Sequence, residues 1–266
     1  MDARTRVRQF LAGGSADRPP FLAMATKYTA RLAQRPPGDL LADPGLFVRS
    51  FEQSIAVLGL EAVLIEVPTA RVQAVATGDD PASCGLDVLR EDLHRLRATL
   101  RDQVAIVAPL PGPMMLAGSL GLAATPDSMD DLVAGLIAVQ EYLGPAGFDA
   151  LALLERAGVG DEDVAGLADA AAAFWNVARY YSLPSLLIAA RGTARLAEVG
   201  PTAVAAWSGA SARELLAGGA RAAGQPPPAV PAPLPPGGFY LSAGEIPPDW
   251  EVGAVRSLVL PPPVTL

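Results

Sequence analysis

The segment GGFYLSAGEIPPD, Gly237–Asp249, decides how this chain is read. It follows GQPPPAVPAPLPP, Gly224–Pro236, where closely spaced prolines fix φ and remove backbone donors, so an extended polyproline II path is expected there. After it come apolar residues, a Gly-containing turn and Pro247-Pro248, the pattern of one more strand and a helix start. Too few residues remain beyond Pro236 to form a domain. The extended run is therefore expected to travel across the body and deliver a last strand to a sheet built by the earlier residues.

That sheet is legible upstream. Strand-like runs are expected at Pro20–Met24, Ala62–Val67, Val104–Pro109, Ala150–Leu154, Ser185–Ala190, Thr202–Ala206 and Gly238–Ser242, with amphipathic stretches between them. Leu86, Leu89, Leu93, Leu96 and Leu100 share one helical face, with Arg90, Glu91, Arg97 and Arg101 largely elsewhere. Asp43-Pro44 opens a helix through Val57, Asp127 or Ser128 caps one over Met129–Leu143, and Gly160-Asp161 opens one over Glu162–Tyr181. Alternating strands and helices predict helices covering a mostly parallel sheet. With 266 residues, 51% of them hydrophobic, the chain is expected to form one domain over residues 1–266. The fold class is an α/β (β/α)8 TIM barrel, abbreviated near residues 209–236, with its eighth strand hidden or replaced near the Pro-rich run.

Composition narrows the function. Twenty Lys and Arg stand against 28 Asp and Glu, net charge -8, with no basic block, so neither nucleic acid nor an anionic membrane surface is an expected partner. Residues Val104 to Ala124 are uncharged over about the length of a membrane span, but Pro109, Pro111, Gly112 and Pro113 interrupt them. A buried strand, a rigid turn and a short apolar helix are expected instead. The first residues lack the apolar core of a signal peptide, and a cytoplasmic location is expected. Cys84 is the single cysteine, which leaves no intramolecular disulfide and no multi-thiolate metal site within one chain.

Several stretches carry a resemblance in the same order along the chain. GGFYLSAGEIPPDWEVGAVRSLV is similar to the closing strand, turn and helix of the uroporphyrinogen decarboxylase-like family. RVRQFLAGGSADRPPFLAM resembles that family's opening helix and strand, and LLADPGLFVRSFEQSIAVLGLEAVLIEV its next helix and second strand. APLPGPMMLAGSL and QEYLGPAGFDALALLERAG resemble its Gly-Pro turn and its helix-strand-acid stretch. The resemblance implies a TIM barrel with its site at the carboxyl ends of the strands and a small-molecule ligand bound in that mouth. It implies either of two chemistries, cofactor-free decarboxylation of uroporphyrinogen or zinc-dependent methyl transfer between thiols and corrinoids. It also makes a homodimer plausible.

The residues depart from both chemistries. The family's Arg-x-x-x-Arg pair after the first strand is MATKYTAR here, with Lys27 and Arg31 the nearest cations, and lysine lacks the bidentate fork that grips carboxylates. At the closing segment Ala243 stands where the decarboxylase branch has a histidine. The zinc branch needs His-x-Cys and a distant Cys, whereas this chain has His94, off the leucine stripe, and Cys84 in a loop. No cofactor or metal is expected.

The strand ends hold the sharpest functional signal. Glu66 and Glu155 each follow a buried apolar run, where barrel enzymes keep reactive groups, and are the candidate catalytic residues. Each could equally end its strand in an ion pair, with Arg191 as a partner. Candidate ligand-binding residues are Lys27, Tyr28, Arg31, Met114, Met115, Arg191 and Trp207, with the methionines also readable as core filler. Trp175, Tyr180 and Tyr181 are expected to pack. Three readings stay open: a divergent decarboxylase-like enzyme acting on a small or tetrapyrrole-like acid, a corrinoid/thiol methyltransferase-type component, and a non-catalytic ligand-binding barrel.

Overall fold

The computed structural model describes residues 1–14, 20–155, 159–189, 194–200, 203–206, 212–216, 239–246 and 248–259. The chain opens with α1 (Ala3–Leu11), β1 (Phe21–Met24), α2 (Thr26–Leu32), α3 (Pro37–Leu40) and α4 (Pro44–Leu58). Next come β2 (Ala62–Leu64), α5 (Thr69–Ala76), α6 (Leu86–Leu100), β3 (Ala105–Pro111), α7 (Pro113–Leu120) and α8 (Pro126–Leu143). β4 (Ala150–Glu155), α9 (Val164–Tyr180), β5 (Ser185–Ala189), β6 (Ala203–Ala206), β7 (Ala212–Leu216), β8 (Phe239–Glu245) and α10 (Val252–Val259) follow. The strands form a parallel α/β sheet in the order β6-β5-β4-β3-β2-β1-β8-β7, with no β6–β7 ladder among the described residues.

The expected last strand is present. Phe239–Glu245 pairs in parallel with β1, Leu22 opposite Leu241 and Met24 opposite Glu245, with a register shift between them. The strand beside it is β7, Ala212–Leu216, which lies shortly before the Pro-rich run, near which the eighth strand is expected. The Pro-rich residues themselves lie outside the described ones.

Every residue of β1 to β5 is buried, with the outer helices packed on one face and the strands' own inner side chains and α1 on the other, so each strand is apolar on both sides. Alternation sorts these side chains into two clusters. Leu22, Met24, Leu64, Val107, Leu154 and Ile188 face inward with Val7, Phe10 and Leu11 of α1. Small residues at Ala62, Ala105 and Ala150 share that inner cluster, so α1 brings the large side chains that the strands omit. Ala23, Val63, Ile106, Leu151, Leu153 and Leu187 face outward, onto the other helices.

The outer helices follow their patterns. The five leucines of α6 are all buried, each contributing roughly 1.5–3 kcal/mol. Asp43 caps α4 by accepting the Leu46 N–H at 3.0 Å, with Pro44 in the first turn. At α8 the cap is Thr125, not Asp127 or Ser128. Thr125 accepts the Ser128 N–H and Ser128 Oγ accepts the Thr125 N–H, a reciprocal pair that starts the helix at Pro126. The uncharged run from Val104 becomes β3 and α7, and no helix among the described residues is long and apolar enough to cross a membrane.

Gly135 on α8 marks a close helix–helix approach. A Cβ there would stand 2.4 Å from Ala76 Cα at the end of α5. Alanine normally stabilises a helix interior by about 0.5–1 kcal/mol over glycine. Here backbone contact reverses the sign, and Gly135→Ala is expected to destabilise by about 1–3 kcal/mol in urea denaturation. A stabilised variant would mean that α5 and α8 can separate at no cost.

Candidate functional site

The ladder between β2 and β3 continues past Leu64: the Ile65 N–H donates to Val107 O at 3.0 Å and the Val67 N–H to Pro109 O at 3.1 Å. Glu66 therefore keeps the strand alternation and shares the inward side of Ala62 and Leu64. It is half-buried at the carboxyl end of the sheet. β1 beside it ends at Met24, whose backbone partners are Leu64 on one side and Glu245 on the other. The register thus brings Glu245, which sequence reasoning did not single out, to the same end of the sheet.

Glu155 is placed differently. It follows the outward parity of Leu151 and Leu153, and it is fully buried. Its Oε1 accepts the Met114 N–H at 3.1 Å and its Oε2 the Met115 N–H at 2.8 Å. These are first-turn amides of α7, which lack partners within the helix, and the positive end of the helix dipole favours a carboxylate there. Gly112 makes the approach possible, since a Cβ at that position would lie 2.1 Å from Oε1. Burial pushes the Glu155 carboxyl up to about 7, with the N–H donations from Met115 and Met114 pulling down and the nearby Asp163 charge adding to the rise. Alternation puts the two candidate catalytic carboxylates on opposite faces, so the structure does not bring Glu66 and Glu155 together.

The two methionines separate as well. Met115 packs against the inner cluster. Met114 lies against the outer cluster and lines a cleft of about 370 Å³ between α7, α8 and α9, with Met129 and Leu167 on its wall and Asp130, Glu162, Asp163 and Asp169 around it.

Lys27 is exposed in the first turn of α2. Tyr28 is fully buried and its hydroxyl donates to Trp250 O at 2.7 Å. Arg31 Nη1 donates to the same carbonyl at 2.7 Å and to the Tyr28 hydroxyl oxygen at 3.2 Å. Both side chains hold the turn before α10. Arg191 and Trp207 lie outside the described residues, so the expected Arg191 ion pairs do too.

His94 is exposed on α6, and Cys84 is half-buried in the turn before that helix. Among the described residues no three His, Cys, Asp or Glu side chains converge as a metal site would require. The residues do not fit a thiol-activating zinc. Of the aromatic residues expected to pack, Trp175 is buried and donates to Val199 O at 2.8 Å. Tyr180 and Tyr181 are instead exposed, Tyr180 at 83%, and their rings pack edge-on against each other at 5.2 Å.

The sequence matches no family model and no curated protein. Among solved structures it is similar to a methyltransferase from Methanosarcina mazei, at 14% identity with a TM-score of 0.72, over 97% of each chain. An enolase protein from Sargasso Sea environmental sequencing matches with a TM-score of 0.23 at 16% identity, over 74% of this chain and 56% of that one, too low to bear on the fold. The first likeness places the chain among proteins of that α/β fold.

Proposed function

We propose that the protein is a methyl-transfer enzyme of the uroporphyrinogen decarboxylase-like class, with its sheet closed as a (β/α)8 barrel and its small-molecule site at the carboxyl ends of the strands. The observation that carries this reading is the likeness to a methyltransferase across nearly the whole of both chains. The alternative decarboxylation of a many-carboxylate substrate needs cations at the first strand end, and Arg31, the first guanidinium after that strand in sequence, gives Nη1 to Trp250 O.

In this reading Glu66 is the proton acceptor. The methyl group leaves its donor, a bond forms between methyl carbon and the acceptor atom, and the acceptor's proton passes to the Glu66 carboxylate. No step runs through zinc. Glu155 takes no part in the chemistry, since both its oxygens hold α7.

The test is an assay of the purified chain with methylcobalamin as donor and 2-mercaptoethanol as acceptor, followed by loss of the methylcobalamin spectrum. Thiol methylation above the uncatalysed rate is expected. Decarboxylation of uroporphyrinogen in place of methyl transfer would overturn the proposal, and so would the absence of both.

A further inference from the structure

We propose that Glu155 is a proton-operated latch on the turn between β3 and α7, which sets the positions of Met114 and Met115 at the carboxyl end of the sheet. The geometry is that of a latch. One fully buried carboxylate spends one oxygen on each of two adjacent amides, and a glycine directly beneath leaves room for it alone. Those amides belong to residues whose side chains go opposite ways, Met115 to the inner cluster and Met114 to the cleft wall. A change at Glu155 therefore reaches both sides of the sheet.

The charges around the latch favour a switch. β3, β5 and α7 carry no charged residue. Among the described residues, α8 brings Asp127, Asp130, Asp131 and Glu141, and α9 with its entry brings Asp161, Glu162, Asp163, Asp169 and Arg179. Of these, Asp163 is the one whose charge acts on Glu155. Ionised, the carboxylate accepts from both amides. Protonated, one oxygen carries an O–H and faces an N–H donor, so one of the two bonds is weakened or lost.

The readout must be local. With Glu155 raised from 4.5 to about 7, the folded chain keeps a proton that the unfolded chain releases, so stability falls as pH rises through that window. Asp92, buried in α6 and raised by desolvation from 3.8 to about 6, pushes in the same direction. Global stability would mix the two. The amide resonances of Met114 and Met115 do not.

In ¹⁵N–¹H spectra of the full chain, taken from about pH 5 to about pH 9, both amides are expected to shift together with one midpoint near neutrality. Asp163→Asn removes the like charge and is expected to move that midpoint to lower pH. Glu155→Gln is expected to leave the two amides flat across the range. Amides that do not titrate, that titrate with different midpoints, or that still titrate in Glu155→Gln overturn the latch. Where Glu155→Gln does not fold, an unmoved midpoint in Asp163→Asn overturns it. The readout does not use methyl transfer, so either proposal can fail alone.

Discussion

Replacing Asp149 by alanine is expected to cost the fold about 3–5 kcal/mol, the range for removing one member of a buried ion pair. Asp149 has no exposed surface and sits just before β4, at the amino end of the sheet. Its Oδ1 accepts from Arg4 Nε at 2.6 Å, and its Oδ2 accepts from Arg97 Nη2 and from the Ile106 N–H at 2.9 Å. One carboxylate thereby joins α1, α6, β3 and β4. Arg97 also donates to Gly147 O and Val104 O, and burial already pulls its guanidinium down from the ordinary value. Without Asp149 that cation stays desolvated and uncompensated, which is where most of the cost arises.

Arg4→Ala should cost less, about 1 kcal/mol, since Arg4 is 25% exposed against 13% for Arg97 and water can replace part of its interaction. Breaking the exposed Arg95–Glu91 pair gives the baseline, about 0–1 kcal/mol. Urea denaturation of the three variants orders them. An Asp149→Ala loss no larger than the Arg95–Glu91 baseline would show that the buried cluster holds nothing together.

None of that cluster was legible in the sequence. Arg4 and Arg97 lie 145 and 52 residues from Asp149, and an aspartate before an apolar run reads as a turn residue. The strands were legible because burial on both faces makes each one a continuous apolar run, and the α6 stripe because its leucines keep a helical period. Caps were partly legible. Asp43 beside Pro44 has one reading, whereas in TPDSM both Asp127 and Ser128 read as caps, and the reciprocal bonds between Ser128 and Thr125 put the cap earlier, at Thr125.

The strand-end acids expose a different limit. That Glu66 and Glu155 close apolar runs can be read directly, but the face each occupies depends on register, and a single residue reverses it. The motif PGPMM was visible as a turn. That its two amides need an acceptor, and that Gly112 clears the space for Glu155, requires β4 lying alongside. Tyr28 and Arg31 look like ligand contacts because they follow the first strand, yet their shared partner is a carbonyl 222 and 219 residues away.

Glu66→Gln is expected to lower methyl-transfer turnover by about 10²–10⁴-fold, the usual contribution of a positioned general base. The amide matches the carboxylate in size and keeps an acceptor oxygen, but it cannot take up the acceptor's proton. Glu66 is half-buried where Asp149 has no exposed surface, so the fold should lose less here than at Asp149. Activity and stability are thus expected to separate at this position. At Asp149 they are expected to fall together, because that carboxylate holds the amino end of the sheet, away from the strand ends where the site is proposed. A Glu66→Gln protein that turns over within about threefold of the parent would remove Glu66 from the chemistry. Glu245 would then be the next to replace, because the register sets it opposite Met24 at the end of β1.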